Sequence, residues 1–201
     1  MLIIGITGPS GSGKGAVSGY LYSKGAKVID ADAVYHDLIT PPSPCIDELV
    51  SVFGKGILLE DGGIDRKALA KLVFGEENKE KLSLLNKITH KYVIERINET
   101  LSDYKNSGVT VCVIDAPLLI EACIHKDCDV TVAVLANKDT RIERIMQRDG
   151  IDRSAAERRV NSQKPDEFYK ENTDETIHNN GDLASLFAEI DSILQKRRIE
   201  L

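Results

Sequence analysis

Gly8-Pro9-Ser10-Gly11-Ser12-Gly13-Lys14 stands between an apolar run, Leu2 to Thr7, and a helical stretch from Lys14 to Lys24. Strand, glycine-rich loop and helix in that order are the setting in which G-x-x-x-x-G-K forms a phosphate loop. The glycines let successive backbone N–H groups turn inward around a polyphosphate, and the helix N-terminus adds positive potential. Gly8, Gly11, Ser12, Gly13, Gly15 and Ala16 are therefore candidate nucleotide-binding positions, and Lys14 supplies a point charge for the β- and γ-phosphates. One position departs from the motif. The residue after the lysine is ordinarily Ser or Thr, whose hydroxyl ligates Mg²⁺; here it is Gly15.

Working outward, short Val- and Ile-rich runs alternate with helical periods. Leu2–Thr7, Lys27–Asp30, Val109–Asp115, Asp129–Leu135 and Glu175–His178 read as buried strands of a parallel sheet. Helices are expected over Lys14–Lys24, Lys138–Asp149, from Ser154 (with Glu157 as a capping box) to before Pro165, and over Leu183–Lys196. A three-layer α/β fold follows. Residues 40–107 break the alternation: Thr40-Pro41-Pro42-Ser43-Pro44 is a break, Glu60-Asp61-Gly62-Gly63 a turn, and the rest, including Glu80 to Lys105, is helical.

Composition narrows the class. The 201 residues carry 26 Lys and Arg against 32 Asp and Glu, a net charge of −6. That balance argues against a nucleic-acid binder. No apolar run approaches the length of a membrane span, and Met1 to Ile6 lacks the basic region of a signal peptide. Cys45, Cys112, Cys123 and Cys128 lack disulfide-scaffold spacing and suit a reducing cytoplasm. Cys123 and Cys128 near His125 do not make the tight pairs that structural zinc requires.

The second strand separates the possible nucleotide binders. Val28-Ile29-Asp30-Ala31-Asp32 places carboxylates at the carboxyl end of a strand, beside a nucleotide crevice. From here the sequence resembles the dephospho-coenzyme A kinase family. The matching segments are the phosphate loop, Ile29-Asp30-Ala31-Asp32, Ile64-Asp65-Arg66, Pro117-Leu118-Leu119-Ile120-Glu121, Arg144 to Arg148, and Ile177-His178-Asn179-Asn180-Gly181. They fall in family order across nearly the whole chain. Gly15 departs from the family, as does Lys91, which follows His90 where the family has His-Pro.

The resemblance implies a parallel-sheet phosphate-loop kinase core (about 1–39, 108–135 and 174–201), a helical acceptor-binding insertion (about 40–107) and a helical lid (about 136–173). It implies ATP and Mg²⁺ as cofactors and transfer of the γ-phosphoryl to the ribose 3′-hydroxyl of dephospho-coenzyme A, a small-molecule partner. Asp32 would orient the acceptor hydroxyl and take its proton, or else cap a helix or serve the metal site. Asp115, closing the third strand, is a Walker-B-type Mg²⁺ carboxylate or a turn residue. Arg141, Arg144 and Arg148 share a helix face opposite Ile142, Ile145 and Met146; Arg144 and Arg148 are taken as the charges that close over the transferring group. Arg158 and Arg159 are weaker candidates. Asn180 and Gly181 would border the adenine, and His90, Leu118 and Glu121 the acceptor. Two other readings stay open: a phosphate-loop kinase for another small acceptor, and a nucleotide sensor without turnover, suggested by Gly15.

Overall fold

Buried parallel strands need apolar side chains on both faces, and the runs rich in Val and Ile provide them. A computed structural model describes residues 1–201, the side chain at position 76 aside. Five strands, β1 (Leu2–Thr7), β2 (Lys27–Asp30), β3 (Val111–Asp115), β4 (Val130–Leu135) and β5 (Glu175–His178), form one sheet in the order β2-β3-β1-β4-β5. Every neighbouring pair is parallel. β3 and β4 begin one or two residues later than the apolar pattern predicts, because pairing with β1 starts at Val111 and Val130.

The helices are α1 (Lys14–Ser23), α2 (Ala31–Leu38), α3 (Pro44–Phe53), α4 (Arg66–Val73), α5 (Lys79–Asn106), α6 (Lys138–Asp149), α7 (Arg153–Asn161), α8 (Asp166–Glu171) and α9 (Leu183–Arg197). One sheet face packs on α1 and α9: Ile4, Ile6, Val132 and Ile177 meet Val17, Leu21, Leu186 and Ile190 in one core. A second cluster joins Ala133 and Leu135 to Ile120 and to Tyr169 of α8. Ile6, Ile114 and Leu135 are wholly buried, each stabilising the fold by about 1.5–3 kcal/mol relative to exposure. α6 and α7 pair through Ile142, Ile145, Ala156 and Val160. α7 opens two residues earlier than a Ser154 cap would set it: Asp152 accepts the Ala155 N–H at 2.7 Å, and Ser154 instead accepts Arg158 Nη1. Asp and Ser cap about equally well, so residue type alone does not choose between Asp152 and Ser154.

The chain clusters into two units, Met1–Asp30 with Asp103–Leu201, and Ala31–Ser102. The second is helical, with Leu49, Ile57, Leu69 and Ile97 buried. Its helices are joined by a turn closed by an antiparallel bridge from Leu58 to Ile64. Lys91 has a clear structural role there. It continues α5 without a break and donates to Glu48 Oε2 of α3 at 2.9 Å, beside the Tyr92 hydroxyl at 2.7 Å. Lys91 first and Tyr92 second hold the Glu48 carboxyl below its ordinary value.

Asp174 anchors β5 to β4, accepting both the backbone N–H and the hydroxyl of Thr131 at 2.8 and 2.7 Å. Those donors lower the Asp174 carboxyl from its usual range, against the opposing effect of partial burial. A depressed folded-state value stabilises the fold above the unfolded-state value, and that contribution is lost as pH falls through the folded one. Asp174 is solvent-exposed, which screens the carboxylate, so Asp174→Ala should cost only about 0.5–1 kcal/mol at neutral pH, a penalty that shrinks in acid. Denaturant midpoints at both conditions check this; an equal penalty in acid would remove the carboxylate from the account.

Candidate active site

The phosphate loop leaves β1 at Thr7 and must reverse within seven residues to enter α1. Gly8, Gly11 and Gly13 take φ of 141°, 79° and 100° to do it, angles at which only glycine is unstrained. Space enforces the same choice. A Cβ on Gly8 would strike the Val134 carbonyl oxygen, and one on Gly13 the side-chain amide of Asn179. Lys14 arches back over the loop, its Nζ donating to the Gly8 carbonyl at 3.0 Å. Ser12 Oγ is buried without a hydrogen-bond partner. An unsatisfied buried hydroxyl is costly, and inside this loop it is an unspent donor for an anionic oxygen. Gly15 and Ala16 follow Lys14 in the first turn of α1, and a Cβ on Gly15 would meet nothing within 4 Å.

The carboxyl ends of three strands align beside this loop. Asp30 of β2 pairs with Asp115 of β3, and Asp115 with Ile6 of β1. Ser18, one turn into α1 from Lys14, donates to Asp115 Oδ2 at 2.5 Å. Asp115 is thus tied directly to the helix that the loop opens.

α6 supplies the cations. Arg144 Nη1 lies 3.3 Å from the carbonyls of both Gly11 and Ser12, and its Nη2 3.3 Å from Asn179 Oδ1. Arg148 Nη2 reaches Ser10 Oγ at 3.4 Å while its Nε pairs with Asp149 at 2.7 Å. Arg159 also pairs with Asp149, at 2.6 Å, and these arginines depress the Asp149 carboxyl, Arg148 most strongly. Arg141 is 6% exposed and packs against the loop. Burial pushes its guanidinium below the ordinary value, with Asp166 and Tyr169 acting the other way.

Asn179 was not singled out by the sequence reading, which favoured its neighbour Asn180. It is 4% exposed, donates from Nδ2 to the Ser12 carbonyl at 2.8 Å, and accepts Arg144. Strand alternation was the available signal, since it puts Asn179 on the same buried side as Ile177. Asn180 Oδ1 accepts the Asn137 N–H at 2.7 Å, joining the end of β5 to the start of α6, with Gly181 next in the chain. Leu118, 46% exposed, and the exposed Glu121 lie in the turn after β3. Glu121 acts there with burial, the larger cause, to push the Tyr169 hydroxyl up to about 12.

In the helical unit, Asp32 is exposed in the first turn of α2, two residues past the end of β2. His90 is half-buried on α5, between Thr89 and Lys91. Cys128 packs where a Cβ on Gly5 would come within 2.7 Å of its Sγ, and burial first, then neighbouring carboxylates, push its thiol to about 12. That is the environment of a packing residue.

A parallel sheet whose first strand feeds a phosphate loop, with arginines of a following helix on the loop's carbonyls, defines a phosphate-loop kinase fold. A family model described as dephospho-CoA kinase matches residues 2–185. The dephospho-CoA kinase of Carboxydothermus hydrogenoformans is 40% identical over 194 residues, covering 96% of this chain and 93% of the relative. Among solved structures, a Thermus thermophilus protein superposes with a TM-score of 0.81 at 31% identity, covering 97% of each chain. Dephospho-CoA kinase from Campylobacter jejuni gives 0.69 at 26% identity, covering 96% of each chain. This chain belongs to the dephospho-coenzyme A kinase family.

Proposed function

We propose that this protein transfers the γ-phosphoryl group of ATP to the ribose 3′-hydroxyl of dephospho-coenzyme A, the last step in making coenzyme A. The observation that carries the reading is the family match over residues 2–185 on a chain whose phosphate loop is complete in backbone and lysine. In a loose transition state the charge spreads over the equatorial oxygens, so catalysis is mostly positioning and electrostatics. Loop amides from Gly11 to Ala16 receive the phosphates, and Lys14 exchanges its Gly8 carbonyl for phosphate oxygens. Arg144 and Arg148 supply charge from α6. Asp32 orients the acceptor hydroxyl and accepts its proton late; an aspartate is a weak base, so orientation outweighs proton affinity. Asn180 and Gly181 border the adenine, while His90, Leu118 and Glu121 belong to the acceptor side. The insertion and the lid act as separate acceptor-binding and closing parts, and the reaction belongs to the cytoplasm.

The donor set near the loop fits Mg²⁺, a hard cation that takes oxygen ligands and keeps several waters. Asp115, with Asp32, would hold it, and bound with the nucleotide it would neutralise phosphate charge. No described residue offers a hydroxyl at position 15, and the space beside Gly15 is open. A water would have room there, at small entropic cost. Gly15→Ser should lower the Mg²⁺ concentration for half-maximal rate severalfold, leave the acceptor KM unchanged, and add up to ~1 kcal/mol of helix stability. Metal titrations of rate, with melting curves alongside, test this. An unmoved Mg²⁺ requirement would show that position 15 lies outside the metal site.

An ADP-release assay across acceptors tests the function itself. Turnover with dephospho-coenzyme A and not with nucleotides, shikimate-like or sugar acceptors is the expected result. Tight ATP binding without turnover on any acceptor would favour the sensor reading.

A further inference from the structure

Ser10, third in the phosphate loop, is gripped at both of its backbone polar groups by residues far along the chain. Its N–H donates to Gln163 Oε1 at 3.1 Å, and its carbonyl accepts Arg141 Nε at 3.0 Å. The two grips are joined to each other, because Arg141 Nη2 donates to the same Gln163 oxygen at 2.6 Å. The Ser10 backbone, the Gln163 amide and the Arg141 guanidinium thus form a closed ring of three hydrogen bonds. Both partners of the Gln163 oxygen are obligatory donors, so the side-chain amide can sit only with its oxygen toward them. One contact, Arg141 to Gln163, is charge-assisted and short, the stronger class of hydrogen bond.

The ring's placement gives it leverage. Arg141 rises from the first turn of α6, and its backbone lies where a Cβ on Gly11 would strike the Arg141 carbonyl oxygen at 2.7 Å. Gln163 follows the end of α7, whose apolar face is packed on α6. Arg148 adds a third hold on the same residue through Ser10 Oγ. Any displacement of the α6–α7 pair therefore pulls on the loop at Ser10.

We propose that Gln163 is a positioning residue for the phosphoryl donor: with Arg141 it clamps the Ser10 backbone, so that the shape of the phosphate loop and the placement of α6 and α7 are set together. This rests on the kinase reading for its consequence in catalysis, while its effect on nucleotide binding is separate from the identity of the acceptor. Gln163 touches the loop from outside and is not itself a catalytic group.

The test measures ATP affinity directly, by calorimetry with a non-hydrolysable analogue, on the full chain. Gln163→Leu should weaken binding roughly tenfold, the loss of a bond to a charged group, and raise the KM for ATP equally while the dephospho-coenzyme A KM stays within about twofold. Gln163→Glu, which still accepts from both donors, should recover most of that affinity. Arg141→Met should weaken binding similarly, and the double variant should be no worse than about threefold below the weaker single, since one ring cannot be broken twice. Melting temperatures identify any variant that fails to fold, and the Gln163→Glu comparison then decides. Unchanged affinity in Gln163→Leu, equal defects in Gln163→Leu and Gln163→Glu, or additive losses in the double variant would each overturn the proposal. Absence of turnover with intact, Gln163-dependent ATP binding would overturn the kinase reading alone.

Discussion

Lys14→Ala is expected to reduce kcat/KM by at least 10²–10³, the loss that follows removal of one preorganised charge at a transition state. Lys14 is the cation carried by the loop itself, and its Nζ already lies over the loop at the Gly8 carbonyl. The arginines of α6 do not replace it from there, because Arg144 donates to the Gly11 and Ser12 carbonyls and Arg148 is paired with Asp149. The loop should keep its shape, since the backbone of Gly8, Gly11 and Gly13 sets it. Steady-state kinetics, with circular dichroism to confirm the fold, provide the check. Retention of more than about a tenth of native kcat/KM would take the β- and γ-phosphate role away from Lys14.

Asp32→Asn should leave ATP affinity close to native while kcat falls by about 10²–10⁴, the span for a lost general base. The substitution preserves size and hydrogen-bonding reach but removes the proton-accepting carboxylate. Asp32 is exposed in the first turn of α2, a position where a neutral amide costs the helix little. Pre-steady-state turnover at saturating ATP and acceptor, paired with equilibrium ATP binding, separates the alternatives. Collapse of ATP binding with a surviving rate at saturation would make Asp32 a metal-site residue instead.

The pattern of what was legible follows from the range of the forces involved. β1, β2 and β5 begin and end where the runs Leu2–Thr7, Lys27–Asp30 and Glu175–His178 predict. Apolar content on both faces has no other stable home than a covered parallel sheet. α5 and α9 likewise lie within a residue of expectation, being long enough for periodicity to show. α2 and α8 were missed. α2 buries only Ala31 and Leu38, and α8 is six residues whose place depends on Tyr169 meeting Ile120 and Leu135. Such short segments are ordered by what they pack against rather than by local preference.

By itself the sequence determined the phosphate loop, the parallel α/β sheet that carries it and the family, because each is written in consecutive residues whose backbone chemistry is local. Tertiary structure alone decided what surrounds the loop. Asn179 beneath Ser12, Ser18 on Asp115, and Gln163 with Arg141 on Ser10 join residues 167, 97, 153 and 131 positions apart. No local propensity encodes such contacts; they exist only once the sheet order β2-β3-β1-β4-β5 brings the strand ends together and burial obliges each polar group to find a partner.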